Sequence, residues 1–465
     1  MAQVISPDVQ ALRTAITGQV FIPDDPGYDP ARIVWNGDID RRPAVIVRCA
    51  TAADVSAAVG FARQHNLEIA VRGGAHSTAG SSVVDDGLQI DLSGMRQVTV
   101  DPVARRAFVA GGATLADLDA AAQAHGLAVP GGVVSHTGVG GLTLGGGMGW
   151  LTRKAGLSID NLVSAEVVTA DGRVLQASER DHPDLFWAIR GGGGNFGVVT
   201  AFEFKLHPVG PLVQFGLFFW SLENTAEVLR LAESLISTLP SDLNIIIAGI
   251  NAPPAPFVPE QHHFRPGCAL LITGFGSQEE HETVVARVRK QLPPLFDMVA
   301  PLPYVQLQKL LDEANAFGVC AYDQALYLAE LSEDVIAVVA EHLPRKTSPL
   351  SPVLFYRLDG AYSEVGEDHT AFGGGRSPRW NIFIVGVTDS SEKLPAERQW
   401  VRSFWDALQP HAMGIGSYVN GESELAYDRI LSSYGRAKYD RLARIKATYD
   451  PDNLFHRNAN IRPAT

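Results

Sequence analysis

The sequence predicts an α+β chain in two parts, one glycine-rich and assembled from short elements, the other built on a large, mainly antiparallel sheet covered by helices. Three observations point there. Strand-like and helix-like runs alternate over residues 43–110. Glycine clusters crowd 72–81, 130–149 and 191–197 and thin out afterwards. Past Pro208–Pro211, long apolar strands alternate with helices. At 465 residues and 46% hydrophobic content the chain can bury a large core. The division expected is 1–208 and 209–417, with 418–465 returning to the first part.

The elements follow in order. "DVQALRTAI" reads as a short N-terminal helix and "AVIVRCA" as a buried strand. "TAADVSAAVGFARQHN" is an amphipathic helix that Thr51 can cap, with Asp54 placed three residues on as in a capping box. "EIAVRGG", "LQIDLSGM" and "RAFVAGGA" add strands, and "LADLDAAAQAHG" is a helix stopped by Gly126. In "PGGVVSHTGVGGLTLGGGMG" glycine is so dense that neither helix nor strand can form without something else to pack on. "HPDLFWAIR" is helix, "GGGGNFG" loop and "VVTAFEFKLHPV" strand. "LVQFGLFFW", "NIIIAGI", "ALLITGFG", "VLFYRLDGA" and "WNIFIVGVT" are the long strands of the second part, with "ENTAEVLRLAESLIST" and "EDVIAVVAEHL" as helices. One last helix, "SSYGRAKYDRLARIKATYD", precedes the tail "PDNLFHRNANIRP".

With 38 basic against 51 acidic residues the formal charge is −13, which repels a nucleic-acid backbone and an anionic bilayer alike, so neither is expected as a partner. Cys49, Cys268 and Cys320 show no CxxC spacing, which suggests a reducing compartment and no disulfide framework. The start of the chain lacks the basic and apolar pattern of an export signal, and "LVQFGLFFW" is too short to span a bilayer, so a cytoplasmic protein is expected. His262 and His263 lack the i, i+4 spacing of a helical metal pair and no HExxH occurs, so no metal is expected.

Gly192, Gly194 and Gly197 match GxGxxG, but the order here is helix, loop, strand, the reverse of the strand, loop, helix that a dinucleotide fingerprint requires. No cluster ends in GK[ST], and no GxSxG elbow surrounds Ser135. Three separate glycine loops can instead expose many backbone N–H groups to an extended, pyrophosphate-bearing ligand; the alternative is that they serve only as tight turns. His76, in "VRGGAHSTAG", has only small neighbours. Three readings stand for it: a turn residue, a metal or acid/base histidine, or the attachment point of something bulky. His136, in "SHTGVGG", competes for the same role.

"VRGGAHSTAGSS", "PGGVVSHTGVGGLTLGGGMGWLTRKAGLSIDNLVSAEVVTADGRV", "HPDLFWAIRGGGGNFGVVTAFEF", "YVN" and "YDPDNLFHRNANIRP", in this order, resemble the FAD-linked oxidoreductases of the vanillyl-alcohol-oxidase superfamily, in the berberine-bridge-enzyme-like branch. The resemblance covers the whole chain. It implies a two-part FAD-binding domain of the PCMH type, a substrate domain on the antiparallel sheet, and FAD bonded through its 8α-methyl to His76. The cofactor set it implies is Arg72, Gly73, Gly74, Ala75, Ser77, Thr78 and Ser81 from the first loop. The second loop contributes Pro130, Gly131, Ser135, Thr137, Gly138, Gly141, Leu142 and Gly146. Gly194, Gly197 and Val199 follow from the third, and Asn420, Asn458 and Asn460 from the C-terminal part. Val134 stands where many relatives carry a cysteine that forms a second flavin bond, so one histidyl link is expected. Gly421 stands where relatives often have an aromatic residue after Y-x-N, which leaves one wall of the substrate site more open.

The resemblance further implies an oxidase that takes hydride from a small molecule, a sugar, aromatic alcohol, amine or secondary metabolite, and passes the electrons to dioxygen. Tyr418, in "YVN", is the first candidate for the base, and Tyr356 and Asp359, on "VLFYRLDGA", are second candidates. On a strand 356 and 358 share a face and 359 points away. Phe215, Phe219, Tyr327 and Trp380 are candidates to line a pocket for a ring.

Overall fold

Val45–Arg48, Ile69–Arg72 and Leu88–Asp91 are short runs rich in β-branched residues. In the computed structural model, which describes residues 2–424 and 426–465, they lie parallel with Leu88–Asp91 in the middle, and Gln19–Phe21 adds an antiparallel edge. Parallel pairing demands a crossover, and the helix Ala52–His65 supplies it. Thr51 caps this helix by accepting the Asp54 N–H at 3.2 Å. The Asp54 carboxylate does not complete the box. It accepts from Ala50, Thr17 and Gly18 N–H instead, pinning the preceding loop to the helix start.

A second sheet of five antiparallel strands runs Val98–Asp101, Arg106–Ala110, Val198–Lys205, Leu162–Val168, Val174–Ser178. Between these sheets the glycine-dense segment does form a helix, Val139–Gly145. The element it packs on is the 111 loop: a Cβ on Gly140 would come within 3.0 Å of the Gly111 carbonyl oxygen. Glycine allows this close approach, because a side chain here would push the two backbones apart by a few tenths of an ångström.

The third sheet has seven strands, ordered Phe296–Pro303, Leu212–Ser221, Pro266–Gly274, Leu243–Asn251, Val353–Leu358, Arg379–Thr388, Cys320–Leu328, all antiparallel. Helices Thr225–Ile236, Gln278–Gln291, Glu333–His342 and Leu394–Leu408 bury one of its faces, where Phe218, Ile245, Phe355 and Trp380 meet Leu229, Val288, Val339 and Phe404. Phe215, Phe219, Ile246 and Tyr356 on the other face meet Met148, Trp150 and Leu151 of the glycine-rich part. Burial on both faces is why these strands read as unbroken apolar runs rather than alternating ones. Each Leu, Ile or Phe so buried contributes about 1.5–3 kcal/mol.

The last helix is two helices. Gly435, at φ 71°, breaks it into Tyr427–Tyr434 and Arg436–Tyr449. The second of these holds Lys446, fully buried, whose ammonium donates to the Asn195 and Phe455 carbonyls at 2.6 and 2.9 Å and pairs with Asp450 at 2.6 Å. Asn195 in turn bonds Ala459 and Ile461. The tail is thereby tied to the third glycine loop.

Candidate active site

Gly73 and Gly74 leave the strand Ile69–Arg72 at the point where the second glycine loop crosses it. A Cβ on Gly74 would sit 2.2 Å from the Gly138 N, so the two loops can touch only as glycines. Ala75 follows at φ 59°, a left-handed conformation that strains a residue with a side chain and turns the next one inward. That next residue is His76. Trp35 stacks on its ring with centroids 5.5 Å apart, and its Nε2 lies 2.6 Å from Nδ1 of His136. Burial, with His136 beside it, pushes the His76 pKa down to about 3, so its imidazole is neutral.

The three loops and the tail converge on one cleft of about 360 Å³. Of the residues implied by the resemblance, Gly73, Gly74, Ala75, His76, Ser77, Thr78 and Ser81 line it from the first loop, and Thr137, Gly138, Gly141 and Leu142 from the second. Gly194, Gly197, Val199, Asn420 and Asn458 complete that set. The cleft fits a large polar ligand. A Cβ at Gly141 would meet nothing within 4 Å, and those at Gly73 and Gly194 only ordinary contacts at 3.5 and 3.6 Å, so protein packing demands glycine at none of the three. Ser82 Oγ, Asn458 Oδ1 and Arg457 Nε are buried on the cleft wall with no hydrogen-bond partner, a costly state unless a ligand supplies one.

Other members of the set stand apart from the cleft. Arg72 is spent on the Ala31 and Ile33 carbonyls. The Pro130 carbonyl accepts from Ser158 Oγ at 2.6 Å, and Gly131 makes room for Leu115. Ser135 is bound through both N–H and Oγ to Asp312, at 2.8 and 2.6 Å, and so belongs to the contact with the large sheet's connections. Gly146, at φ 138°, is where the chain turns beneath Phe372 and Tyr418. Asn460 lies beyond the lining, its buried Oδ1 without a partner.

The large sheet's strand Cys320–Leu328 anchors the first glycine loop, and here sequence reasoning missed residues. Asp323 and Gln324 interrupt the buried strand Cys320–Leu328, so its apolar pattern is too broken to predict a strand from sequence. The Asp323 carboxylate accepts from Thr78 Oγ1 at 3.0 Å and Ser423 Oγ at 2.6 Å. Asn36 bonds both the Thr78 and Ala321 carbonyls, at 2.8 and 2.9 Å, holding the His76 loop to the same strand. Glu422 lines the cleft, paired with Arg429 at 2.9 Å; burial pushes its carboxyl up to about 8. No spacing rule brings residues 36, 78, 323 and 422 together.

Tyr418 is buried, and its hydroxyl oxygen accepts from the Gly147 N–H at 2.9 Å and from Asn420 Nδ2 at 3.0 Å. Both bonds favour the phenolate, yet burial outweighs them and pushes the pKa up to about 12. Tyr356 points from its strand into the same cluster, its ring edge-on to Phe383 at 5.5 Å, and Phe383 is edge-on to Tyr418 at 6.0 Å. Asp359 is not free to act as a base: Arg153 and Arg357 both hold it in a buried ion-pair cluster. Trp380 faces the covering helices, its Nε1 donating to Glu233, so of the four aromatic candidates only Phe215, Phe219 and Tyr327 look toward the glycine-rich part.

Comparison with known proteins agrees with this geometry. The family described as FAD binding domain matches residues 43–178, and the one described as berberine and berberine like matches 417–462. An FAD-linked oxidoreductase of Dictyostelium discoideum is 32% identical over 92% of this chain and 91% of its own. (R)-6-hydroxynicotine oxidase of Paenarthrobacter nicotinovorans is 30% identical over 97% of both. The crystal structure of 6-hydroxy-D-nicotine oxidase from Arthrobacter nicotinovorans superposes with a TM-score of 0.84, covering 97% of this chain and 98% of that one at 29% identity.

Proposed function

Because the chain belongs to the berberine-bridge-enzyme-like FAD-linked oxidoreductases of the vanillyl-alcohol-oxidase superfamily, we propose that it oxidises an alcohol or amine C–H of a small molecule, with dioxygen as electron acceptor and hydrogen peroxide as product. The observation that carries this reading is the convergence of three glycine loops and the tail on a cleft whose wall holds one neutral, desolvated imidazole. The relative named (R)-6-hydroxynicotine oxidase supports an oxidase rather than a dehydrogenase.

Bound FAD supplies a ring that accepts hydride from a C–H next to O–H or N–H. The chain supplies everything else. Gly73, Gly74, Gly138, Gly141 and Gly194 leave space and N–H groups for the ligand's length, and Ser82, Arg457 and Asn458 meet it with the polar atoms that lack partners. His76 holds it covalently, and Val134 offers no sulfur for a second bond. Tyr418 orients the substrate's O–H or N–H and takes its proton, with Gly147 and Asn420 stabilising the phenolate that must form. Tyr356 stands behind Phe383 as part of the same wall.

Peroxide release over a panel of sugars, benzylic alcohols, amines and polyketide alcohols tests the reading. Peroxide formed in step with one substrate class is expected. Reduction of an artificial acceptor without peroxide would assign a dehydrogenase, and a flavin that no substrate bleaches would assign a binding module.

A further inference from the structure

His76 and His136 come from two different glycine loops, and neither ring nitrogen at their contact has another partner among the described residues. Phe317 contacts both rings, with centroids at 5.7 and 5.6 Å, and Trp35 stacks on His76. At 2.6 Å one nitrogen of the pair must donate and the other accept. His76 is neutral, so it has a single proton to place on one of two nitrogens. The nitrogen that faces His136 is Nε2, which leaves Nδ1 as the ring nitrogen free of that contact on a residue that lines the cleft.

We propose that His136 is a positioning residue for covalent flavin attachment: it holds the His76 proton on Nε2, so that Nδ1 presents a lone pair to the flavin 8α carbon, and it receives that proton as the bond forms. This rests on the reading above that His76 carries the flavin. The step replaces one C–H bond of the 8α-methyl with a bond to Nδ1. The methyl proton leaves to solvent, the electron pair of the broken bond stays on the ring, and a two-electron acceptor such as dioxygen then removes it. An imidazole bonded at Nδ1 and still protonated at Nε2 is a cation, which the desolvation that lowers the His76 pKa disfavours. Passing the Nε2 proton across the 2.6 Å contact to His136 Nδ1 leaves the linked imidazole neutral.

The test follows attachment rather than turnover. Wild type, His136→Leu and His136→Asn are incubated with FAD, and two quantities are read over time: bound flavin, by fluorescence quenching, and flavin that stays with the polypeptide after acid precipitation. The expected result is that His136→Leu binds FAD but couples it at least tenfold more slowly, and that His136→Asn, whose amide oxygen can accept from Nε2, recovers part of the rate. Should the leucine variant fail to bind FAD, His136→Phe replaces it, keeping an aromatic ring against Phe317 without an acceptor. Coupling at the wild-type rate in a variant that has no acceptor overturns the proposal. Release of all flavin from acid-treated wild type would instead overturn the tether itself.

Discussion

Tyr418 receives two hydrogen bonds that favour its anion and is still harder to ionise than a free tyrosine, because its enclosure disfavours charge more than two N–H groups repay. A base with a pKa near 12 is scarce in its active form at neutrality, so the rate of flavin reduction by substrate should climb with pH and not level off below about pH 10. Tyr418→Phe should lower that rate by about 10²–10⁴-fold with flavin content unchanged. Stopped-flow bleaching across the pH range checks both. A plateau just above pH 8, retained in Tyr418→Phe, would give the proton to Glu422 instead, whose carboxyl titrates there. At this scale the sequence showed what local chemistry can show: a histidine among tiny neighbours, and a Y-x-N near the C-terminus. It did not show Trp35, Asp323 or Glu422 beside them, because their meeting depends on the docking of the large sheet on the glycine loops.

Among elements, the helix Val139–Gly145 is the one most shaped by its ligand. At Gly140 a methyl group would crowd the Gly111 carbonyl oxygen at 3.0 Å, whereas Gly141 has no protein neighbour that excludes one. Alanine in a helix interior is favoured over glycine by about 0.5–1 kcal/mol. Gly141→Ala should therefore raise the melting temperature of flavin-free protein slightly while weakening FAD uptake, since its methyl enters the cleft; calorimetry and a flavin titration separate the two effects. Equal loss of both would place Gly141 in protein packing. Elements with continuous apolar runs were legible, down to the Thr51 cap. Cys320–Leu328 was not, because Asp323 and Gln324 are buried for reasons of site and sheet rather than of strand pattern. The break at Gly435 was misread as helix interior, since the helical pattern continues on both sides of it.

At the scale of the molecule, a single carboxyl marks the joint between the glycine-rich part and the large sheet. Asp119, on the helix Leu115–Gln123, is fully enclosed and accepts from Gln308 Nε2 at 2.8 Å, on the helix Tyr304–Lys309. Burial pushes its pKa up to about 7, so between the unfolded value of about 3.9 and 7 the folded chain holds a proton that the unfolded chain has released. Stability from this group is present at acid pH and declines as pH rises through that window. Asp119→Asn, which keeps the neutral shape, should lose less stability between pH 5 and 8 than wild type does; parallel declines in calorimetry would remove Asp119 from the account. The arrangement of a helix-covered antiparallel sheet over a glycine-rich base was readable from texture alone, because the strands are apolar throughout and the glycines crowd the other part. What the whole molecule adds is the cleft that the glycine loops and the C-terminal segment enclose together, and the central claim is that FAD is fastened there to one imidazole. Digesting acid-denatured protein and locating the flavin by mass spectrometry tests that most directly. The account predicts flavin on the peptide that contains His76 and on no other. Flavin wholly in the free fraction, or on a peptide without His76, would contradict it.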